Sequence, residues 1–505
     1  MTIIGARTAL ADAAVQYHCA GGSQLADETH LSTLHKVLAL RSEKSMQEVA
    51  LTMLSRVLTN GLRLGNNPSS AALIAPLLGD LVGTESLGSF GGASTNGPSF
   101  ILALHLAAQR APLWQDNASK IFGGDGENFM SQEFSGLRWN EGGSNSFWMI
   151  RAKDWLLAGC GNDFSQLQAE YVNQIKAHGR PVPALDQNWL EAEITSSGLG
   201  GWFRYLRPAS IRMTITPNED NLQIEARVLE AKAIPWKSDP WQIPKDLMRG
   251  QIISFAAGQN VAAFLNVNPA LAHLAGNPLT NQFYFWAGDQ MPLLNYMAWP
   301  VTHASNALEK LGAEAPISLN PELKRFNGTE LVWRPEAGKL IWQNMPLFAP
   351  ALETARIKEG EFLFLSSFLR LTKSKPAPDA LLSQVEGRTN LVYYDWELTG
   401  RRLSEWQILR GMIANRSRPQ KGNGEDSTLI ENNWLVELES LAANAVTVTE
   451  ITLLAPNELI IKRKAPIGFN SMELVLLADW LCDANSGPIH AAPPVEQKTP
   501  SPVHP

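Results

Sequence analysis

Asp395 and Glu397 stand two residues apart in the block Arg388-Thr389-Asn390-Leu391-Val392-Tyr393-Tyr394-Asp395-Trp396-Glu397, with Arg401 and Arg402 just beyond. In a β-strand, side chains alternate, so Tyr393, Asp395 and Glu397 share one face while Tyr394 and Trp396 share the other. Same-face neighbours lie ~6.5–7 Å apart along a strand, a spacing at which two carboxyl groups can act as acid and base on a glycosidic bond. Trp396 would then be a stacking platform, and Arg388, Tyr394 and Trp396 are the binding candidates. The competing reading is structural. A guanidinium beside a carboxylate holds its pKa down, whereas a glycosidase acid needs its pKa raised. The balance of acids and arginines therefore predicts a structural pair neutralised by Arg388, Arg401 or Arg402, with no catalytic residue. The first half repeats the alternation of acids in Trp189-Leu190-Glu191-Ala192-Glu193, as a shared structural device would.

The remaining motifs point to no chemistry. Gly88-Ser-Phe-Gly91-Gly92-Ala-Ser-Thr-Asn-Gly97 leads into an apolar strand and lacks the Gly-Lys-Ser/Thr of a phosphate cradle, so it reads as a connection. Gly123-Gly-Asp125-Gly-Glu127-Asn128 supplies only two of the acids a calcium loop needs and reads as a turn. The nine His include no HExxH or HxH pair, and His30 and His35 flank the stripe of an expected helix, so neither zinc spacing nor any metal site is expected. Gly142-Gly-Ser144-Asn-Ser146 lacks the last glycine of a nucleophile elbow. No cofactor is implied. The three cysteines, Cys19, Cys160 and Cys482, form no CxxC and read as buried thiols, with one disulfide as the alternative.

The elements that would position these residues repeat. Val15 to Gly21 and Ile253 to Gly258 both read as a strand entering a Gly turn. Each half ends in a hairpin of alternating apolar residues, around Pro217-Asn218-Glu219 and Pro456-Asn457-Glu458. Between these anchors Phe100–Leu106 parallels Phe283–Trp286, and Gly136–Trp139 parallels Glu330–Trp333. Phe147–Ala158 parallels Glu361–Leu371, and Asn188–Glu191 parallels Asn390–Tyr393. An internal duplication follows, with an insertion of roughly 50 residues at a different place in each half. Met46, Val49, Ala50, Met53, Leu54, Val57 and Leu58 make a helical stripe behind a capping box at Ser45-x-x-Glu48. A second helix runs through Phe164, Leu167, Tyr171 and Ile175 and closes at Gly179.

The expected fold class is α+β: two tandem duplicated half-domains, each a mixed or antiparallel sheet with helices on one face. Residues 1–14 are a leader or signal remnant, 15–233 the first repeat (helical insertion about 27–95), and 234–251 a Pro/Trp-rich linker. Residues 252–484 are the second repeat and 485–505 a disordered Pro-rich tail. Trp139 and Trp333, at matched sites, are expected in the core.

The chain has 505 residues and a net charge of −7, which gives it no electrostatic pull toward nucleic acid or an anionic membrane. No run approaches the ~18 apolar residues of a membrane span. Apolar residues reach 45% and charged ones only 18%, enough for a large core, and tryptophan is abundant at 16.

Gly387–Gly400 (GRTNLVYYDWELTG) and Ile467–Leu481 (IGFNSMELVLLADWL) resemble an uncharacterised family of large, usually exported bacterial proteins. The resemblance spans Val15 to Leu481 and implies no established activity, cofactor or catalytic residue. It implies an extracytoplasmic location, periplasmic or secreted, if a signal precedes this start, and a cytoplasmic one otherwise. The leading expectation is a non-enzymatic binding or scaffolding protein of the envelope or exterior, with a protein or glycan partner. The alternatives are a carbohydrate-active hydrolase using Asp395 and Glu397, and a carrier of lipid or another apolar ligand.

Overall fold

The computed structural model describes residues 13–61, 68–91, 99–140, 146–161, 164–196, 208–234, 236–260, 281–345, 348–368, 376–417 and 425–482. The chain opens with β1 (Ala13–Cys19), then the helices α1 (Gly22–Asp27), α2 (Ser32–Leu38), α3 (Arg41–Gly61) and α4 (Pro68–Gly83). β2 (Ser86–Gly91) and β3 (Phe100–His105) lead to α5 (Ala111–Phe122). β4 (Glu127–Ser131), β5 (Phe134–Asn140), β6 (Ser146–Ala152) and β7 (Trp155–Cys160) form a meander closed by α6 (Ser165–His178). β8 (Leu190–Thr195), β9 (Pro208–Asn218) and β10 (Asn221–Glu230) end the first half.

The second half starts with β11 (Ile252–Gln259), β12 (Gln282–Gly288) and β13 (Asn295–Pro300), followed by α7 (Ala304–Asn327). Next come β14 (Glu330–Arg334), β15 (Lys339–Gln343), β16 (Ala351–Ile357), β17 (Gly360–Ser366) and the short α8 (Asp379–Leu382). β18 (Leu391–Leu398) runs into α9 (Thr399–Ser417) and α10 (Glu425–Leu441). β19 (Val446–Ala455), β20 (Glu458–Ala465) and α11 (Ser471–Cys482) complete the described chain.

Among the described residues, twenty strands make one antiparallel sheet. Its order through the first half is β4-β5-β6-β7-β3-β2-β1-β8-β9-β10. β10 then pairs with β20, and the row continues β19-β18-β11-β12-β13-β17-β16-β15-β14. With helices and strands both abundant, the chain is α+β. No parallel pair occurs among the described strands, so the sheet is antiparallel rather than mixed. At the middle of the row Glu225 faces Lys462, their charged ends 3.8 Å apart.

The helices cover both faces, not one. α6 packs through Leu167, Tyr171, Val172 and Ile175 on Leu87, Ala103, Ile150 and Leu157. α5 packs on the opposite face through Trp114 and Ala118, against Leu104, Met149 and Leu156. Strand alternation explains this, because β3, β6 and β7 are apolar on both sides and must be buried twice. In the second half, the first of these faces is covered by α8 and by Ile243, Leu247 and Met248 of the preceding segment. Trp241 of the same segment packs on that core and its Nε1 donates to the Arg388 carbonyl at 2.8 Å.

α3 carries the expected stripe, but its partners belong to the other half. Met46 and Met53 pack with Trp434, Leu435, Leu438, Leu474 and Leu481 of α10 and α11. α3 begins at Arg41, so Ser45 lies inside it and no capping box forms at Ser45–Glu48. α6 stops at Gly179, whose φ of 79° is readily available to glycine and strained for other residues. Ala13 and Ala14 are buried in β1. The tail 485–505 and most of the leader lie outside the described residues. Gly88 does not belong to a loop: it sits in β2, where a Cβ would come within 2.2 Å of the Tyr17 ring. Gly92–Gly97 lies outside the described residues, as do residues 142–144. Gly123 caps α5 and Glu127 opens β4, the turn expected there.

Candidate functional site

β18 carries the acid block, and its pairing fixes what each side chain meets. Leu391 and Tyr394 enter the core with Phe255, Tyr284 and Trp286, and Trp396 packs against the same cluster. A register shift between Leu391 and Tyr393 lets Leu391 and Tyr394 share that side. Asp395 and Glu397 point to the other face. Across from Asp395 stand Ala256 and Thr449, and across from Glu397 stand Ser254 and Thr447. The structure therefore brings the two acids together but separates them from Tyr394 and Trp396. Trp396 cannot be a stacking platform for a sugar held by Asp395 and Glu397.

Glu397 is committed to holding α11. Its carboxylate accepts from the Ser471 backbone N–H at 2.7 Å and from the Ser471 hydroxyl at 2.8 Å. A negative charge at a helix N-terminus also opposes the helix dipole favourably. Burial nevertheless outweighs these bonds and raises the Glu397 pKa. α11 is capped a second time by Asn470 and Glu473. The Asn470 side-chain oxygen accepts from the Glu473 N–H at 2.8 Å, and Glu473 accepts from the Asn470 N–H at 3.0 Å.

The arginines do not neutralise the acid pair directly. Arg388 forms a bidentate bridge with Glu450 at 3.0 and 2.8 Å. Arg401 pairs with Asp289 at 2.9 Å. Arg402 is buried and bonded to Glu405, with Asn295 at 2.9 Å and the Phe285 and Trp406 rings beside it. Glu405 in turn accepts from the Leu293 N–H at 3.0 Å. Arg463, from β20, grips Glu473 and donates to Thr449 at 3.0 Å. The physical reason is reach: each guanidinium extends across strands to a carboxylate whose geometry permits a fork, whatever the sequence distance.

Asp395 is left in an unusual position. It is half-buried and makes no hydrogen bond or ion pair among the described residues. Burial and then the Glu397 charge push its pKa up to about 7, against the weaker opposing pull of Arg402 and Arg463. The sequence argument that adjacent arginine would hold this pKa down is thus overturned. The Ser254 hydroxyl, buried on the same face, also makes no hydrogen bond among the described residues.

The first-half acids are no counterpart. Glu191 faces His18 and Thr214, and Glu193 faces Gln16 and Arg212. Counted outward from Glu225 and Lys462, Glu191 falls at the place of Tyr394, and Ala192 at the place of Asp395. On that other face, buried His18 bonds Glu85 at 2.9 Å, and Arg180 adds a second contact that helps to lower the Glu85 pKa. No group of three or more His, Cys, Asp or Glu forms a metal-binding set among the described residues. Cys19, Cys160 and Cys482 are half-buried and form no disulfide among the described residues.

Reasoning from sequence missed Ser471, Glu473, Arg463 and Glu405. The Asn470-x-x-Glu473 cap before an apolar run is the signal that could have found α11 and its N-terminal serine. No protein-family model, no curated protein and no solved structure gives a significant match to the chain.

Proposed function

We propose that this chain is a non-enzymatic binding or scaffolding protein assembled from two copies of one half-domain. The observation that carries the scaffold reading is how the acid block is spent. Glu397 fastens α11, and Arg388, Arg401 and Arg402 each hold a different carboxylate. Supporting the duplication is a register that stays in step across both halves. Walking outward from Glu225 passes Thr214, Glu191, His18, Leu87, Ala103, Leu157, Ile150, Gly136 and Phe129. Walking outward from Lys462 passes Glu450, Tyr394, Ala257, Tyr284, Ala298, Phe364, Glu353, Lys339 and Arg334. Every step has a mate. The same walk re-matches three sequence blocks: Gly136–Trp139 (GLRW) goes with Lys339–Trp342 (KLIW), not with Glu330–Trp333. Phe100–His105 goes with Asn295–Pro300, and Phe147–Ala152 goes with Pro350–Ala355.

Action at the bacterial envelope or exterior rests on the resemblance of the Tyr-Asp-Trp-Glu and Ala-Asp-Trp-Leu blocks to exported proteins. One observation favours the hydrolase as a second reading: Asp395 has no hydrogen bond and a pKa near neutrality, which suits a general acid. The test separates them. Asp395→Asn and Glu397→Gln are each assayed for melting and for turnover on a panel of glycosides. The scaffold reading expects no turnover in any form and reduced melting in Glu397→Gln. Turnover in the parent chain, lost in Asp395→Asn at unchanged melting, would establish the hydrolase instead.

A further inference from the structure

At the closed end of the β9–β10 hairpin an open cleft of 460 Å³ lies between α1, the segment before β8 and the hairpin turn. We propose that this cleft binds a hydroxyl-rich small molecule that is neutral or positively charged, an amino sugar being the closest chemical fit. The inference deepens the binding reading by naming a ligand class, and it uses none of the Asp395 machinery.

The lining chooses the ligand. No Lys or Arg lines the cleft, while Glu28 and Asp186 do, so an anionic ligand meets only like charge. Gln24, Gln187 and Gln223 add carboxamides, each offering a donor and an acceptor, the combination that matches the dual character of a sugar hydroxyl. These three side chains and that of Asp186 make no hydrogen bond among the described residues, so their capacity is unspent. Trp189 is held in place because its Nε1 donates to the Gly21 carbonyl at 2.8 Å, leaving a half-buried indole as an apolar wall. The volume falls within the ~300–1,000 Å³ typical of small-ligand sites.

The other half makes the contrast. Counted by register, Trp189 corresponds to Leu391 and Gln223 to Ile460, both buried. At these two positions the second half is thus closed and apolar, whereas Trp189 and Gln223 stand half-buried at the cleft.

The experiment titrates the full chain with glucosamine, glucose and glucose 6-phosphate by ligand-observed NMR. The chain, Gln223→Ile and Asp186→Asn are compared at equal melting temperature. Expected are saturable binding of glucosamine, weaker binding of glucose and none of the phosphate. Gln223→Ile should lose both sugars, and Asp186→Asn should narrow the preference for glucosamine by about five-fold or more, ~1 kcal/mol. Binding of the phosphate as strong as that of glucosamine, binding indifferent to both substitutions, or no binding at all overturns the inference. Absence of sugar binding leaves the scaffold reading standing, because that reading falls only to turnover.

Discussion

A carboxyl group without a hydrogen bond, half-buried next to a second carboxylate, keeps its proton to higher pH than it would in water. For Asp395 this means a native pKa of about 7 against an ordinary 3.8. The folded state then binds more protons than the unfolded state between these values, so stability falls as pH rises through that window. Chemical denaturation at several pH values should show this fall between about pH 4 and pH 7 in the parent chain, and a flatter profile in Asp395→Asn. An unchanged slope in the variant would mean that Asp395 is not the group responsible. Alternation along β18 made it legible that Asp395 and Glu397 share a face. The partners of Arg388, Arg401 and Arg402 were not legible, since Glu450 and Asp289 reach them only through strand pairing and helix packing. The rise in the Asp395 pKa was hidden for the same reason: it comes from burial under elements distant in sequence.

Helix ends and strand matches set the second scale. The Asn470 and Glu473 side chains accept from two backbone N–H groups at the start of α11, so Asn470→Ala should cost ~1 kcal/mol in a urea titration. A loss below the error of that measurement would make the cap dispensable. Trp139 and Trp333 were both expected in the core, and the structure separates them. Trp139 is 4% exposed and its Nε1 donates to the Gly124 carbonyl at 2.9 Å. Trp333 is half-buried, its ring lying against Gly312 of α7. Trp139→Ala should therefore cost ~3–5 kcal/mol and Trp333→Ala about half as much, read from denaturation midpoints. Equal costs would contradict the difference in burial. The helical stripe of α3 and the Gly179 stop were visible in sequence because periodicity and glycine act locally. The partners of α3 in the other half were invisible, since an apolar stripe specifies burial and not against what.

Across the whole molecule, the two halves meet edge to edge, strand β10 against strand β20, and this junction turns two ten-strand rows into one. Hairpins ending in Pro-Asn turns marked both edges in the sequence, and their order survives in the sheet. The proposed duplication moves three block matches to other strands, because neighbouring antiparallel strands carry interchangeable apolar patterns. Only hydrogen-bond register distinguishes them. The proposed duplication turns on the central pair, since Glu225 and Lys462 must be mates of each other for one twofold to relate the halves. Cross-strand Cα atoms in an antiparallel pair are ~4.5–5.5 Å apart, within the span of a disulfide. The measurement is therefore oxidation of the full chain carrying Glu225→Cys and Lys462→Cys, with crosslinking located by peptide mass. A link between positions 225 and 462 within one chain, with a raised melting temperature, is expected. Two thiols that stay reduced under oxidant while the chain remains folded would contradict it.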